Sequence, residues 1–142
     1  MQCGCTEHLE YRFGDHGPAY VIQGETSDIG VLRLRPGDDM TNHIHHFCDE
    51  SFLVMEGRCT LWVNCRDRYE IGPGDVYRCG PAEMHYFVNE LDAPFRMFFI
   101  KSPASPGDTV NLPWRPGDPI PAVPPTPEPP APASPTTATP AH

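Results

Sequence analysis

Four residues in this chain have the types and spacing of a metal-ligand set: His43, His45, Glu50 and His85. His43 and His45 stand two apart, so in an extended strand both side chains leave on the same face. Glu50 follows after four intervening residues and can return across a bend. His85 lies well downstream, in a second apolar and strand-like segment. Three imidazoles and one carboxylate suit a first-row divalent cation. The imidazoles must be neutral and the carboxylate ionised to donate lone pairs, so affinity for the ion should fall in acid. An ion that accepts six ligands would keep two positions for water, substrate or O₂. His46 should point to the face opposite His45 and is read as a non-ligand. No separate catalytic acid, base or nucleophile is assigned from the sequence.

The elements that must carry these residues are short and β-like. Residues 1–18 form a polar, glycine-punctuated segment with one candidate strand at Tyr11–Phe13. From Ala19 onward, runs rich in β-branched and alternating apolar residues recur at 19–23, 29–35, 40–47, 51–55, 59–64 and 69–71. Three more follow at 76–79, 84–89 and 94–101. Pro36-Gly37-Asp38 and Gly72-Pro73-Gly74-Asp75 are strong turns, and a hairpin turn is expected at Arg66-Asp67. No stretch has a helical period. The chain reads as all-β, an antiparallel sandwich or barrel. Residues 19–112 form the β domain. Residues 113–142 form a proline-rich tail that alternates proline with Ala, Thr and Ser; from 116 onward it is read as disordered, with polyproline II character. Ending the chain near Arg115 should leave the fold intact.

Both ligand-bearing stretches resemble motifs of the cupin superfamily. Gly37 to Gly57 matches the first motif: glycine, five residues, His-x-His, four residues, glutamate, six residues, glycine. Gly74 to Asn89 resembles the second, keeping its glycine, histidine and closing asparagine. It departs where the family has Pro-x-Gly, because Gly80-Pro81-Ala82 stands there. The resemblance spans roughly residues 20–102. It implies a single-domain β-barrel or jelly roll in which His43, His45, Glu50 and His85 hold one divalent metal ion. Iron is the first expectation, with manganese, nickel and zinc as alternatives.

Composition narrows the function further. A net charge of −9 with no basic cluster disfavours nucleic-acid binding. No apolar run approaches the ~20 residues of a membrane span, and no signal peptide stands at the N-terminus. A cytoplasmic protein is expected, with its six cysteines reduced. Cys3 and Cys5 are read as incidental thiols. Cys59 and Cys65 are read as packing residues; Cys48 and Cys79 either line the pocket mouth or fill a gap between the sheets, and for Cys48 the second is preferred. Arg33, Arg35, Tyr77 and Arg78 are candidates to line the pocket, each weighed against a place on the surface. Asn89 could orient a neighbour of the site or a loop. Phe52, Phe87, Met97 and Phe98 are assigned to the core.

The leading function is a metal-dependent enzyme acting on a small organic molecule, with iron-dependent oxygenation first. The alternatives are a redox-neutral isomerase, lyase or decarboxylase, and a non-catalytic binding or sensing barrel. An interaction role for the proline tail has only composition behind it. A homodimer is expected, because Met84, Tyr86 and Val88 face away from His85 and need cover, and because the resemblance implies dimers through sheet edges.

Overall fold

The computed structural model describes residues 1–129, which form ten strands and no helix. The strands are β1 (Gly17–Gln23), β2 (Asp28–Leu34), β3 (Asp39–His45), β4 (Asp49–Glu56), β5 (Cys59–Val63), β6 (Asp67–Ile71), β7 (Val76–Cys79), β8 (His85–Val88), β9 (Phe95–Ser102) and β10 (Thr109–Asn111). They build two antiparallel five-stranded sheets, ordered β1-β2-β9-β4-β7 and β10-β3-β8-β5-β6. Chain neighbours such as β2 and β3, or β3 and β4, fall in different sheets, so the connections wrap the two layers into a jelly roll around one interior. The all-β expectation holds.

Alternation along the strands fills that interior. Leu32, Leu34, Phe52, Val54, Leu61, Ile71, Phe87, Phe95, Met97 and Phe99 form the core between the sheets. Full burial of such side chains contributes about 1.5–3 kcal/mol each. Parity in β9 separates two residues that the sequence reading put together. Met97 and Phe99 face inward, while Phe98 is half-buried on the outer face. A strand cannot send neighbours to the same side.

Three local features differ from expectation. Tyr11 makes only an isolated bridge to Gly14 and no strand. The β5–β6 hairpin turns through Asn64 and Cys65, both with positive φ (51° and 57°), and Asp67 already belongs to β6. Asn64 exchanges backbone and side-chain hydrogen bonds with Met84, at 2.8 and 3.0 Å, which pins the residue before His85. Strand β10 lies inside the 19–112 β domain but is not among the strands read from the sequence; it pairs with β3 and sets Thr109 opposite His45.

The C-terminal segment also answers the packing question posed by β8. Ile44, Cys65, Met84, Tyr86 and Trp114 form a second buried cluster on the outer face of the β3–β8 sheet, flanked by Trp62, Val88 and Leu112. The cover over Met84, Tyr86 and Val88 therefore comes from this chain. Packing runs to Asp118, whose carbonyl accepts the Trp114 indole N–H at 3.1 Å and whose carboxylate accepts the Arg115 N–H at 2.9 Å. Residues 119–129 carry no strand and are largely exposed. The expected disorder of 130–142 lies outside the described residues.

Candidate metal centre

Strand register brings the four predicted ligands together. His43 is the direct cross-strand partner of His85 between β3 and β8. Glu50 enters from the other sheet, at the start of β4, so the cluster bridges the two layers. All four side chains are buried. Their Nε2 atoms converge on one carboxylate oxygen. Glu50 Oε2 lies 2.8 Å from His45 Nε2, 3.0 Å from His85 Nε2 and 3.8 Å from His43 Nε2. One ligand atom from each residue lies within 4.8 Å of the others, so all four could face a single ion.

The far side of each ring fixes its orientation. His43 Nδ1–H donates to the Thr41 carbonyl at 2.6 Å, and His85 Nδ1–H donates to the Glu83 carbonyl at 3.0 Å. A carbonyl can only accept, so both rings carry their proton on Nδ1 when neutral. Their Nε2 lone pairs then face a carboxylate oxygen. A cation at the point of convergence turns this arrangement from repulsion into coordination, so the residues present fit a metal ion. Backbone carbonyls behind metal-bound histidines are a usual orienting device. Behind His45, Nδ1 has only the Thr109 hydroxyl at 3.5 Å.

Electrostatics keep the donors in the required state. Burial, and then the neighbouring His85, lower the His43 pKa and favour the neutral ring. Burial alone would raise the Glu50 carboxyl. Hydrogen bonds from the rings outweigh it and hold Glu50 well below the ordinary carboxylate range: His45 can donate its Nε2–H as a neutral ring, His43 and His85 only when protonated.

The turn before His85 departs from the family pattern, yet the chain closes it. Ala82 adopts φ 62° where the motif has glycine, and its N–H donates to the His45 carbonyl at 2.7 Å. The left-handed conformation costs an alanine roughly 1–2 kcal/mol. That bond ties the turn before His85 to the strand carrying His45.

Asp108 closes the other side. Its carboxylate accepts the N–H groups of His46, Phe47 and Cys48 at 2.8, 2.9 and 3.2 Å, clamping the link between His45 and Glu50. His46 itself stays outside the cluster. Cys48 and Cys79 are buried thiols, each pushed up to about 12 chiefly by burial, and so are unreactive packing groups.

A cavity of about 310 Å³ opens onto His43 and Glu50. Leu32, Met40, Phe52, Phe87, Met97 and Phe99 wall it. The candidates Arg33, Arg35, Tyr77 and Arg78 do not line it. Arg33 lies opposite Arg96 and lines a separate surface depression. Arg35 pairs with Asp38 at 2.9 Å, and Arg78 donates to Ser51 at 3.1 Å. Tyr77 packs against the edge of the core. The cations at the mouth are instead Lys101 and Arg12. Sequence reading missed both; the alternation Phe95, Met97, Phe99, Lys101 is the signal that points to Lys101, while Arg12, in the irregular N-terminal segment, has none. Asn89 serves a loop. It donates to the Leu34 and Ala93 carbonyls and accepts from the Leu91 N–H, at 3.3, 2.8 and 3.1 Å.

A two-sheet antiparallel jelly roll with three histidines and a glutamate converging inside it defines a barrel built around a buried cluster that could hold a metal ion. The cupin domain family matches residues 30–101, and the chain belongs to it. The chain is 29% identical over 84 residues to the tetracenomycin polyketide synthase protein TcmJ of Streptomyces glaucescens. That match covers 58% of this chain and spans 56% of the relative, little more than half its length. Among solved structures, KdgF from a Halomonas species superposes with a TM-score of 0.65 at 17% identity, covering 75% of this chain and 96% of that one. A double-stranded β-helix protein from Klebsiella pneumoniae gives 0.64 at 19% identity, covering 71% and 89%. These likenesses bear on the fold. No helix among the described residues is long and apolar enough to cross a membrane.

Proposed function

We propose that this protein is a metal-dependent enzyme that transforms a small organic molecule inside the barrel, with iron-dependent oxygenation as the leading reaction. The observation that carries the reading is the convergence of three Nε2 atoms and Glu50 Oε2 at an apolar cavity. Bound there, iron would supply redox chemistry and a meeting place for O₂ and substrate. His43, His45, His85 and Glu50 would hold it. Thr41 and Glu83 carbonyls keep two of the rings aimed, and the aromatic and aliphatic wall excludes water around the substrate.

A redox-neutral reaction at zinc, nickel or manganese is the competing version. The likeness to a polyketide synthase protein supports it, since the reactive groups of polyketides are polarised carbonyls on which a Lewis acid can act. Metal analysis of protein purified without chelator, followed by an oxygen-uptake screen over phenolic and polyketide-like acids, tests the proposal. Turnover that continues without oxygen and with zinc replaces oxygenation by the redox-neutral version. Ligands that bind but are never transformed with any of these metals would leave a binding barrel.

Two expectations join the proposal. Six cysteines without a disulfide support a reducing, cytoplasmic setting. A homodimer would use the outer face of the first sheet, where Leu53, Val76 and Ile100 are exposed beside half-buried Phe98. Light scattering at micromolar concentration tests it, and a monomer would remove it.

A further inference from the structure

The mouth of the metal cavity carries a cation that the cluster does not use. Lys101 is the direct cross-strand partner of Glu50 between β9 and β4, and both line the cavity. Its ammonium donates to the Tyr20 hydroxyl at 3.3 Å and lies 5.8 Å and 5.7 Å from the Tyr20 and Phe99 ring centroids. Among the described residues, no carboxylate comes within 4 Å of it. The two acids beside it in the ladder are committed elsewhere: Glu50 to the three histidines, and Asp28, on the other flank, to the Gly24 N–H at 3.2 Å. Arg12 lines the same mouth and makes no ion pair among the described residues; its backbone N–H is held by the Pro18 carbonyl at 3.0 Å. The cavity thus has a metal-ligand cluster on one wall, an apolar aromatic body, and unpaired cations at the rim. Its volume of about 310 Å³ stands at the small end of the ~300–1,000 Å³ typical of ligand sites.

We infer that the cavity takes an anionic aromatic molecule of one or two rings, whose body stacks on Phe99 and Phe52 and whose carboxylate or phenolate is read by Lys101, with Arg12 adding charge at the rim. The inference rests on the cavity being the substrate site proposed above. A charged group partly removed from water is stabilised strongly by an ionised hydrogen-bond partner, and Tyr20 supplies Lys101 with only a neutral one. The rings of Tyr20 and Phe99 fix the ammonium by cation–π attraction and narrow its range of positions.

The test is calorimetric titration of the full chain with naphthoate and with its neutral isostere naphthamide, as purified and again after chelation. Wild-type protein should bind naphthoate at least ~10-fold more tightly than naphthamide in both forms, the strength expected of a charged hydrogen bond. Lys101→Met keeps the apolar stem; it should erase that preference, weakening naphthoate about 10-fold more than naphthamide. Lys101→Arg should restore it. A preference that survives in Lys101→Met but vanishes on chelation assigns the carboxylate to the metal and overturns the role of Lys101. Equal binding of both probes by the wild type overturns the charge reading and leaves the cavity as a ligand site. Binding of neither probe, with or without metal, overturns the inference and also counts against the cavity as the substrate site.

Discussion

Asp108 should be worth several kilocalories per mole although it touches no ligand of the cluster directly. Asp108→Ala strips the acceptor from three consecutive N–H groups, those of His46, Phe47 and Cys48. Cys48 is buried, so its N–H would lose its partner without gaining water, at about 1–3 kcal/mol. His46 and Phe47 are half-buried and can be rehydrated, so each loses only the net value of a hydrogen bond, about 1 kcal/mol. The sum is about 3–5 kcal/mol. Asp108→Asn keeps one acceptor oxygen and should fall between the two. Urea denaturation of the chelated protein measures the effect without any contribution from bound metal. The clamped link joins His45 to Glu50, so metal affinity should also drop by roughly 10–100-fold, as for other groups that orient ligands. A loss below about 1 kcal/mol in Asp108→Ala would refute the reasoning, because the loop would then hold its shape unaided.

Further outcomes follow from the same geometry. Glu50→Gln and His45→Ala each remove a donor and should lower metal content by more than about 100-fold in affinity, beyond what loss of an orienting contact causes; metal analysis after dialysis reads this, and full occupancy in either variant would count against the cluster. Trp114→Ala should cost about 3–5 kcal/mol, whereas ending the chain after Ile120 should leave the thermal midpoint nearly unchanged; a large loss on that truncation would show that the tail packs. The chelated protein should lose stability on acidification. His43 is held below its ordinary 6.5, so the unfolded chain binds the extra proton first and stability falls as pH drops below 6.5 toward the folded value. Glu50, held below its ordinary 4.5, continues the loss below that pH. A flat stability profile from neutral pH down through this range would contradict both. Gly74→Ala should cost about 1 kcal/mol although nothing crowds its Cβ, because its φ of 90° disfavours any side chain; an unchanged denaturation midpoint would remove this argument.

The cluster of His43, His45, Glu50 and His85 was legible in the sequence because it depends on local rules. His-x-His in a strand puts two rings on one face, and the motif spacing placed Glu50 and His85. The strand pattern was legible for the same reason, since alternation and turn residues are local. What the tertiary structure decided were the partnerships between distant segments. Nothing in the composition of residues 108–118 marked Asp108 as a clamp on the loop at His46–Cys48, Thr109 as the partner of His45, or Trp114 as the cover of the β8 outer face. Each of these follows from β10 pairing with β3, a contact more than sixty residues apart in the chain. The pocket cations were decided the same way. Arg33, Arg35 and Arg78 had strand positions, but parity and register turned them out of the cavity and brought Lys101 in. A strand's period tells which residues share a face; only the pairing of the sheets tells which face meets the histidine–glutamate cluster.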